Sequence, residues 1–448
     1  MKLEIDDTIL TLAGSGTGIE PKGESLIADS KPYFIGQTEL PKVANLNRKW
    51  FSFEEINSPG NPSEPSPLYS SHRALGATFT NFAGCQMPLY YTSSSQEHQC
   101  VRKNAGLFDL SYKVLLGFQG HGAERFLDLV LTEHIPQLDT GGSCRACILS
   151  PEGTIISDCI LYRLASDYFI MELEPHNAQM AESWLRAVAA REVIIDLVRP
   201  GVEVDRSCSI INLKTCSDPL IALALQGPKS MAIIQSLLNG SKSRHILNNL
   251  SKGQIRELSI AGFDGWIARR GYTGEPVGYE IFIPRSKAEF LWNGLMNVGL
   301  DHSLGAIGLS AADSLRIEAG LPLYGKELSG PYPISPMETG FGSGIKLHKP
   351  FFIGRQYMLS HSPSRKFVQL RAEIDATDLA KLEPTIHNDS GKIIGVITST
   401  AYISGQYYGL GLLDAHPFDK GKMYLSYNGS PSLLAEVLFI PYSAVIEA

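Results

Sequence analysis

At 448 residues, 44% hydrophobic and 19% charged, the chain has a folded globular composition and is too long for one core, so two or three domains are expected. A formal charge of −7 and the lack of any long basic run exclude a nucleic-acid surface, and no continuous apolar stretch is long enough to span a membrane. Seven cysteines, an odd number, suit a reducing compartment, and the acidic start MKLEIDDTIL has no apolar signal region, so a cytoplasmic protein is expected.

Residues 1–65 are rich in Gly, Ser, Pro and Asn and close on the breaker cluster SPGNPSEPSP, which makes them an N-terminal extension and linker. Within them TILTLAGSGTGIEPKG has the glycines of a phosphate loop. Pro21 and Gly23 would break the helix such a loop needs, so a surface arm or small cap is the better reading. From Pro67 short helices and strands alternate. A helix is expected over 93–106, ended by Gly106, then a strand over 112–118 and a helix over 123–135 with Phe126, Leu127 and Val130 turned inward. Cys144 and Cys147 have no second ligand pair, so they read as half-buried thiols and no metal site is expected. Strands follow at 154–164 and 168–174, and helices at 286–299 and 310–320, the last with Ser310 and Asp313 at capping-box spacing. Residues 66–360 thus form an α+β region, and 361–448 turn to strands alone, a small C-terminal β-barrel or sandwich.

Two carboxylates stand out by the company they keep. In TIISDCILYRL, alternation sets Ile156, Asp158 and Ile160 on one strand face, where Asp158 is desolvated or paired. Either it is a satisfied buried acid, or it accepts a hydrogen bond from a nucleophilic nitrogen in a dry site. In RRGYTGEPVGYEIFIP, Glu280 shares a face with Phe282, opposite Tyr279, Ile281 and Ile283. Its two oxygens match a paired N–H edge, and Tyr272 in the preceding turn can stack or donate; the alternative is a solvated edge-strand glutamate. Glu275, in the turn itself, is expected to face solvent.

Several stretches together resemble the aminomethyltransferases, the tetrahydrofolate-dependent T-protein of the glycine cleavage system and its relatives. They are MPLYYTSSSQEHQCVRKNAGLFDLS, EGTIISDCILYRL, ALALQGPKS, GYTGEPVGYEIFIP, GLSAADSLRIEAGLPLYGKEL, ISPMETGFGSGIKL with FFIGRQ, and IGVITSTAYI, in family order over 67–448. The resemblance implies a clover-leaf of three subdomains around a central cavity that takes tetrahydrofolate, pterin end deepest. Asp158 then takes the place of the catalytic aspartate, and Tyr272 and Glu280 those of the pterin contacts, with the turn's glycines letting backbone approach the flat ring. Leu110, the segment 87–90 and Tyr442 take places in the folate-binding wall.

The departures bear on the donor. Pro276-Val277-Gly278 lengthens the turn by one residue, Ala312 stands where the T-protein has an arginine, Tyr112 where it has a histidine, and Leu173 where an asparagine is expected. Those three substitutions imply a larger, less polar substrate pocket. The expectation is an enzyme moving a methyl or methylene group to tetrahydrofolate from a small donor, such as a methoxy- or methylenedioxy-aromatic. A true T-protein, with a lipoylated carrier protein as partner, is the alternative. A non-enzymatic folate-binding relative is disfavoured because its lysine-glycine-cysteine signature is missing from KLHKPFFIGRQ.

Overall fold

The computed structural model describes residues 48–53, 63–199, 202, 204, 207–328, 334–341, 344–414, 422–427 and 430–438. In chain order the elements begin β1 (Glu64–Pro65), α1 (Tyr69–Ala74), β2 (Thr78–Phe82), β3 (Cys85–Tyr90), α2 (Ser94–Lys103), β4 (Ala105–Asp109), β5 (Val114–Gln119) and α3 (Ala123–Val130). Next come β6 (Ser143–Leu149), β7 (Ile155–Ala165), β8 (Tyr168–Leu173), α4 (Pro175–Ala189), β9 (Ser209–Asn212), β10 (Leu220–Gln226), α5 (Ser230–Leu237) and α6 (Gly240–Asn248). Then follow β11 (Ile255–Ile260), β12 (Phe263–Ala268), β13 (Gly278–Pro284), α7 (Ala288–Gly299), β14 (Leu304–Ile307), α8 (Leu309–Glu318) and α9 (Arg355–Ser360). The last are β15 (Arg365–Glu373), β16 (Leu382–His387), β17 (Ile393–Ile403), β18 (Gln406–Asp414), β19 (Met423–Tyr427) and β20 (Ser430–Leu438).

A five-stranded sheet, β6-β7-β8-β5-β9, and a six-stranded one, β11-β12-β13-β10-β4-β14, share a buried cluster in which Leu115, Ile160, Tyr162 and Ile170 of the first meet Ala222, Ala268 and Phe282 of the second. Each covers its other face with helices. Trp184 and Leu185 of α4 pack with Phe126 and Leu127 of α3 behind the first sheet, and Leu291, Trp292 and Leu295 of α7 cover the second. The third unit is a closed barrel, β15-β18-β17-β16-β19-β20, completed where Gln369, Leu370 and Arg371 pair with Leu438, Val437 and Glu436. Closure removes the sheet edges that such short strands would otherwise expose.

Local expectations shift in identifiable ways. The helix expected to reach Gly106 stops at Lys103, because Gly106 already belongs to β4, paired to Gln226 and Gly305. The helix expected over 123–135 ends at Val130, where Leu131 turns extended. Helix α8 has Gly308 at its N-cap with no side-chain capping bond, and Asp313 holds Arg316 instead of closing a capping box. Of the extension, 48–53 lie against the first sheet's core. Lys49 exchanges backbone hydrogen bonds with Glu192 and Ile194, and the rings of Phe51 and Phe53 meet Trp184 at 5.2 and 5.1 Å. The glycine-rich stretch read as a surface arm, and Tyr442, lie outside the described residues.

Candidate active site

The turn after β4 delivers the first group of side chains. Asp109, fully buried, accepts from Ser66, from the Ser111 amide (2.8 Å) and pairs with His72 Nε2 at 2.9 Å, while Tyr91 meets His72 Nδ1 at 2.8 Å. Burial pushes this carboxyl up, but His72 and the hydrogen bonds win and hold it below its ordinary value. With the end of β4 pinned in this way, Leu110, Tyr112 and Lys113 project into an open cleft. Its other walls come from β2 and β3 (Phe82, Leu89), the start of α4 (His176), the turn before β13 (Tyr272, Thr273) and α8 (Ala312, Asp313).

Behind it lies a narrow recessed chamber, lined by Arg145, Asp158, Ile160, Glu172 and Arg270. Lys113, Glu174, Tyr272, Glu280 and Leu323 line both spaces, so chamber and cleft are one continuous site. Asp158 is 7% exposed and its Oδ1 has no hydrogen-bond partner. Burial pushes its carboxyl up to about 6, with Arg145 opposing and Glu174 reinforcing. Glu280 accepts a hydrogen bond from Tyr162, which reaches it across the gap between the two sheets. Burial, then the charge of Glu172, pushes the Glu280 carboxyl up against the pull of Lys113. The Tyr272 hydroxyl donates to the Pro322 carbonyl, burial pushes it up to about 12, and the Arg145 guanidinium sits over its ring at 4.7 Å.

The structure therefore brings Asp158, Tyr272, Glu280, Leu110, Tyr112 and Ala312 to one continuous site. It does not bring Leu173 there. Strand alternation turns Leu173 into the core with Phe169 and Met171 and presents Glu172 to the chamber instead. Ile156 likewise leaves the Asp158 face: the register skips it between Ile155 and Ser157, and it packs in the helix-covered core with Cys159 and Leu161. Of the segment 87–90, Leu89 reaches the cleft while Met87 is buried elsewhere. Glu275 does not face solvent, because its carboxylate is taken by Arg102 at 2.6 Å. Gly271 and Gly278 make room for Gln226, whose carboxamide would lie 1.8 and 2.1 Å from an added Cβ; it donates to the Arg270 carbonyl and accepts from Thr273. These glycines serve a protein side chain that braces the turn.

Sequence reasoning missed Lys113, Arg145, Glu172, Glu174 and Arg270. The signal was present in YFIMEL and SCRACIL, where one charge interrupts an apolar strand, the same pattern that singled out Asp158. Among the described residues no group of three or more His, Cys, Asp or Glu side chains could hold a metal ion, and all seven cysteines are free.

The family model for the GCVT N-terminal domain matches residues 68–349. The chain belongs to the aminomethyltransferase (GCVT) family. It is 35% identical over 348 residues to an aminomethyltransferase of Streptomyces avermitilis, covering 76% of this chain and 86% of the relative. It is 31% identical over 360 residues to one from Desulforamulus reducens, covering 80% and 92%. The crystal structure of glycine cleavage system aminomethyltransferase T from Bartonella henselae superposes with a TM-score of 0.70 at 28% identity, over 85% of this chain and 98% of that one. As an aminomethyltransferase-family member, the chain is an enzyme of tetrahydrofolate-dependent one-carbon transfer with the α+β fold and C-terminal barrel of that family.

The chamber suits that cofactor. The reduced pterin is flat and bears both N–H donors and acceptor atoms, and the chamber wall carries unpartnered buried atoms of both kinds, Asp158 Oδ1 and Glu172 Oε2 as acceptors and Arg145 Nε and Nη1 as donors. An apolar cavity would leave the pterin's polar edge unsatisfied, and these atoms would satisfy it.

Proposed function

We propose that the chain moves an aminomethyl-type one-carbon unit from a lipoylated carrier protein onto tetrahydrofolate, with Asp158 beside the reacting centre. The observation that carries this is the unpartnered, buried oxygen of Asp158 in a chamber joined through Tyr272 and Glu280 to an open cleft. When bound, tetrahydrofolate supplies the amine nitrogen that takes up the one-carbon unit. Asp158 accepts a hydrogen bond at Oδ1 and sets negative charge against the positive charge that develops next to it. Glu280, anchored on one side by Tyr162, offers its carboxylate to an N–H edge, and Tyr272 closes the junction between chamber and cleft. The side chains Asp158, Glu172 and Glu280 are buried, and the low local dielectric around them strengthens each of these interactions. Relatives named as aminomethyltransferases over three quarters of the chain support the donor assignment.

A second reading, a small apolar or aromatic donor, is favoured by the wall of the outer cleft. There Tyr112 and Phe82 meet edge-on at 5.0 Å beside Leu110, and Ala312 adds no charge. Leu173 lends it nothing, being in the core. The test is to incubate the purified full chain with tetrahydrofolate and, separately, an aminomethylated lipoyl carrier, a methoxy-aromatic, a methylenedioxy-aromatic and a methylsulfonio acid, reading folate products by mass spectrometry. Product with the carrier alone is the expected result. Product from a small donor alone replaces it with the second reading, and no product from any donor defeats both.

A further inference from the structure

Three residues stand in one row across the first sheet. Arg145 of β6 pairs with Ile160 of β7, and Ile160 pairs with Glu172 of β8, so all three side chains leave the same face and all three line the chamber. With neighbouring strands about 4.8 Å apart, the outer two residues stand roughly 10 Å apart at their backbones, with the isoleucine as an apolar seat between them. The two flanks are complementary and incomplete. Arg145 Nε and Nη1 are buried without a hydrogen-bond partner, and the guanidinium carbon lies 4.7 Å from the ring centre of Tyr272 and 5.0 Å from that of Phe341. On the other side Lys113 takes Oε1 of Glu172 and sits 3.3 Å from Glu174, leaving Glu172 Oε2 buried and unpartnered. The cation can only donate and the carboxylate oxygen can only accept. Buried polar atoms in native proteins are paired, and an unpaired set gathered on one wall is completed by what binds there.

We propose that Arg145 and Glu172 are ligand-contacting residues that grip a flat amide-bearing group laid over Ile160, Arg145 donating to its carbonyl oxygen and Glu172 accepting from its N–H. The inference rests on the folate-dependent reading above and adds two residues to the set that reading uses. Tetrahydrofolate carries this chemistry twice, in the lactam of its pterin ring and in the benzamide of its tail, and the row serves one of them. Lys113 is a positioning residue here. It occupies one oxygen of Glu172 and thereby aims the other.

The test is calorimetric titration of the full chain with 5-methyltetrahydrofolate and with 6-methyltetrahydropterin, which has the ring but no tail. It compares wild type with Arg145→Met, Arg145→Lys and Glu172→Gln, each checked for an unchanged melting transition. Each variant is expected to bind 5-methyltetrahydrofolate about tenfold more weakly or worse, as the loss of a charge-assisted hydrogen bond predicts. Arg145→Lys should not rescue, since it keeps the charge near Asp158 but loses the fork. Equal losses for both probes assign the row to the pterin ring, and losses for the folate alone assign it to the tail amide. Full rescue by Arg145→Lys, or unchanged affinities in both Arg145→Met and Glu172→Gln, overturns the proposal. Failure of the wild type to bind 5-methyltetrahydrofolate at all would instead overturn the folate-dependent reading. Should Arg145→Met fail to fold, Glu172→Gln decides alone.

Discussion

The interior of the barrel and the chamber beside the first sheet are both buried β-structure, and they are filled in opposite ways. The barrel interior is built on an apolar cluster of Val368, Leu370, Ile386, Ile397, Leu413 and Leu425. Among the described residues, the buried polar ones on its strands, Gln369, His387, Ser399 and Ser426, include no acid, lysine or arginine. The chamber is walled by seven charged side chains, Lys113, Arg145, Asp158, Glu172, Glu174, Arg270 and Glu280. Buried charge costs several kcal/mol unless paired, so the chamber subtracts stability where the barrel adds it. Strain of that sort concentrates at functional sites, and the chamber is where the family resemblance set the chemistry.

The contrast can be broken at its sharpest point by Asp158→Asn. Turnover is expected to fall about 10²- to 10⁴-fold while the Kd for tetrahydrofolate moves only severalfold, measured by single-turnover product formation and by titration. Near-full activity would remove Asp158 from the reaction. On the barrel side, Leu370→Ala should cost about 2–5 kcal/mol in urea unfolding, with the folate Kd unchanged. A large change in Kd there would mean that the two regions are coupled.

Asp158 also sharpens the comparison through pH. Its carboxyl holds a proton to about pH 6 in the folded chain against an ordinary value of 3.8, so the folded state binds the proton more tightly. The stability it contributes is present at low pH and lost as the pH rises from 3.8 through 6. Asp158→Asn should flatten that slope and leave the inactive variant about 1–3 kcal/mol more stable at pH 7, seen as a shifted urea midpoint. Wild-type turnover should rise over the same interval, as the ionised form appears. The smallest effect is expected outside both regions. Glu275→Gln, which removes the half-buried partner of Arg102, should cost less than about 1 kcal/mol.

Much of this was legible locally. The barrel announced itself through turn-punctuated strands, and Glu280 was placed on its face by simple alternation, since Tyr279, Ile281 and Ile283 all lie in the opposite core. Asp158 and its distant partners Tyr272 and Glu280 were united only by the family resemblance. What escaped has a physical reason in each case. The bulge at Ile156 resets a two-residue period and is invisible to anyone counting alternation. Helix α4 starts at Pro175, just after β8 ends at Leu173; the proline at its first turn marked the change from strand to helix, but the apolar run of YFIMEL drew the reading to the strand alone. Lys113, Arg145 and Glu172 come from three strand neighbourhoods, and their meeting is written in sheet register rather than in any stretch of sequence.

Helix α8 divides its labour by position. Ala311, Leu315 and Ile317 are fully buried in the packing, and Arg316 fastens the helix to the barrel by donating to Glu327 and Ser399. Ala312, between these anchors, lines the cleft from the edge of the cluster that holds Ala311 and Leu315. A mutation there changes what the cleft accepts and leaves the anchors untouched. Selection for a new donor can therefore work on this residue one step at a time, with the rest of the helix preserving the scaffold on which each trial is made.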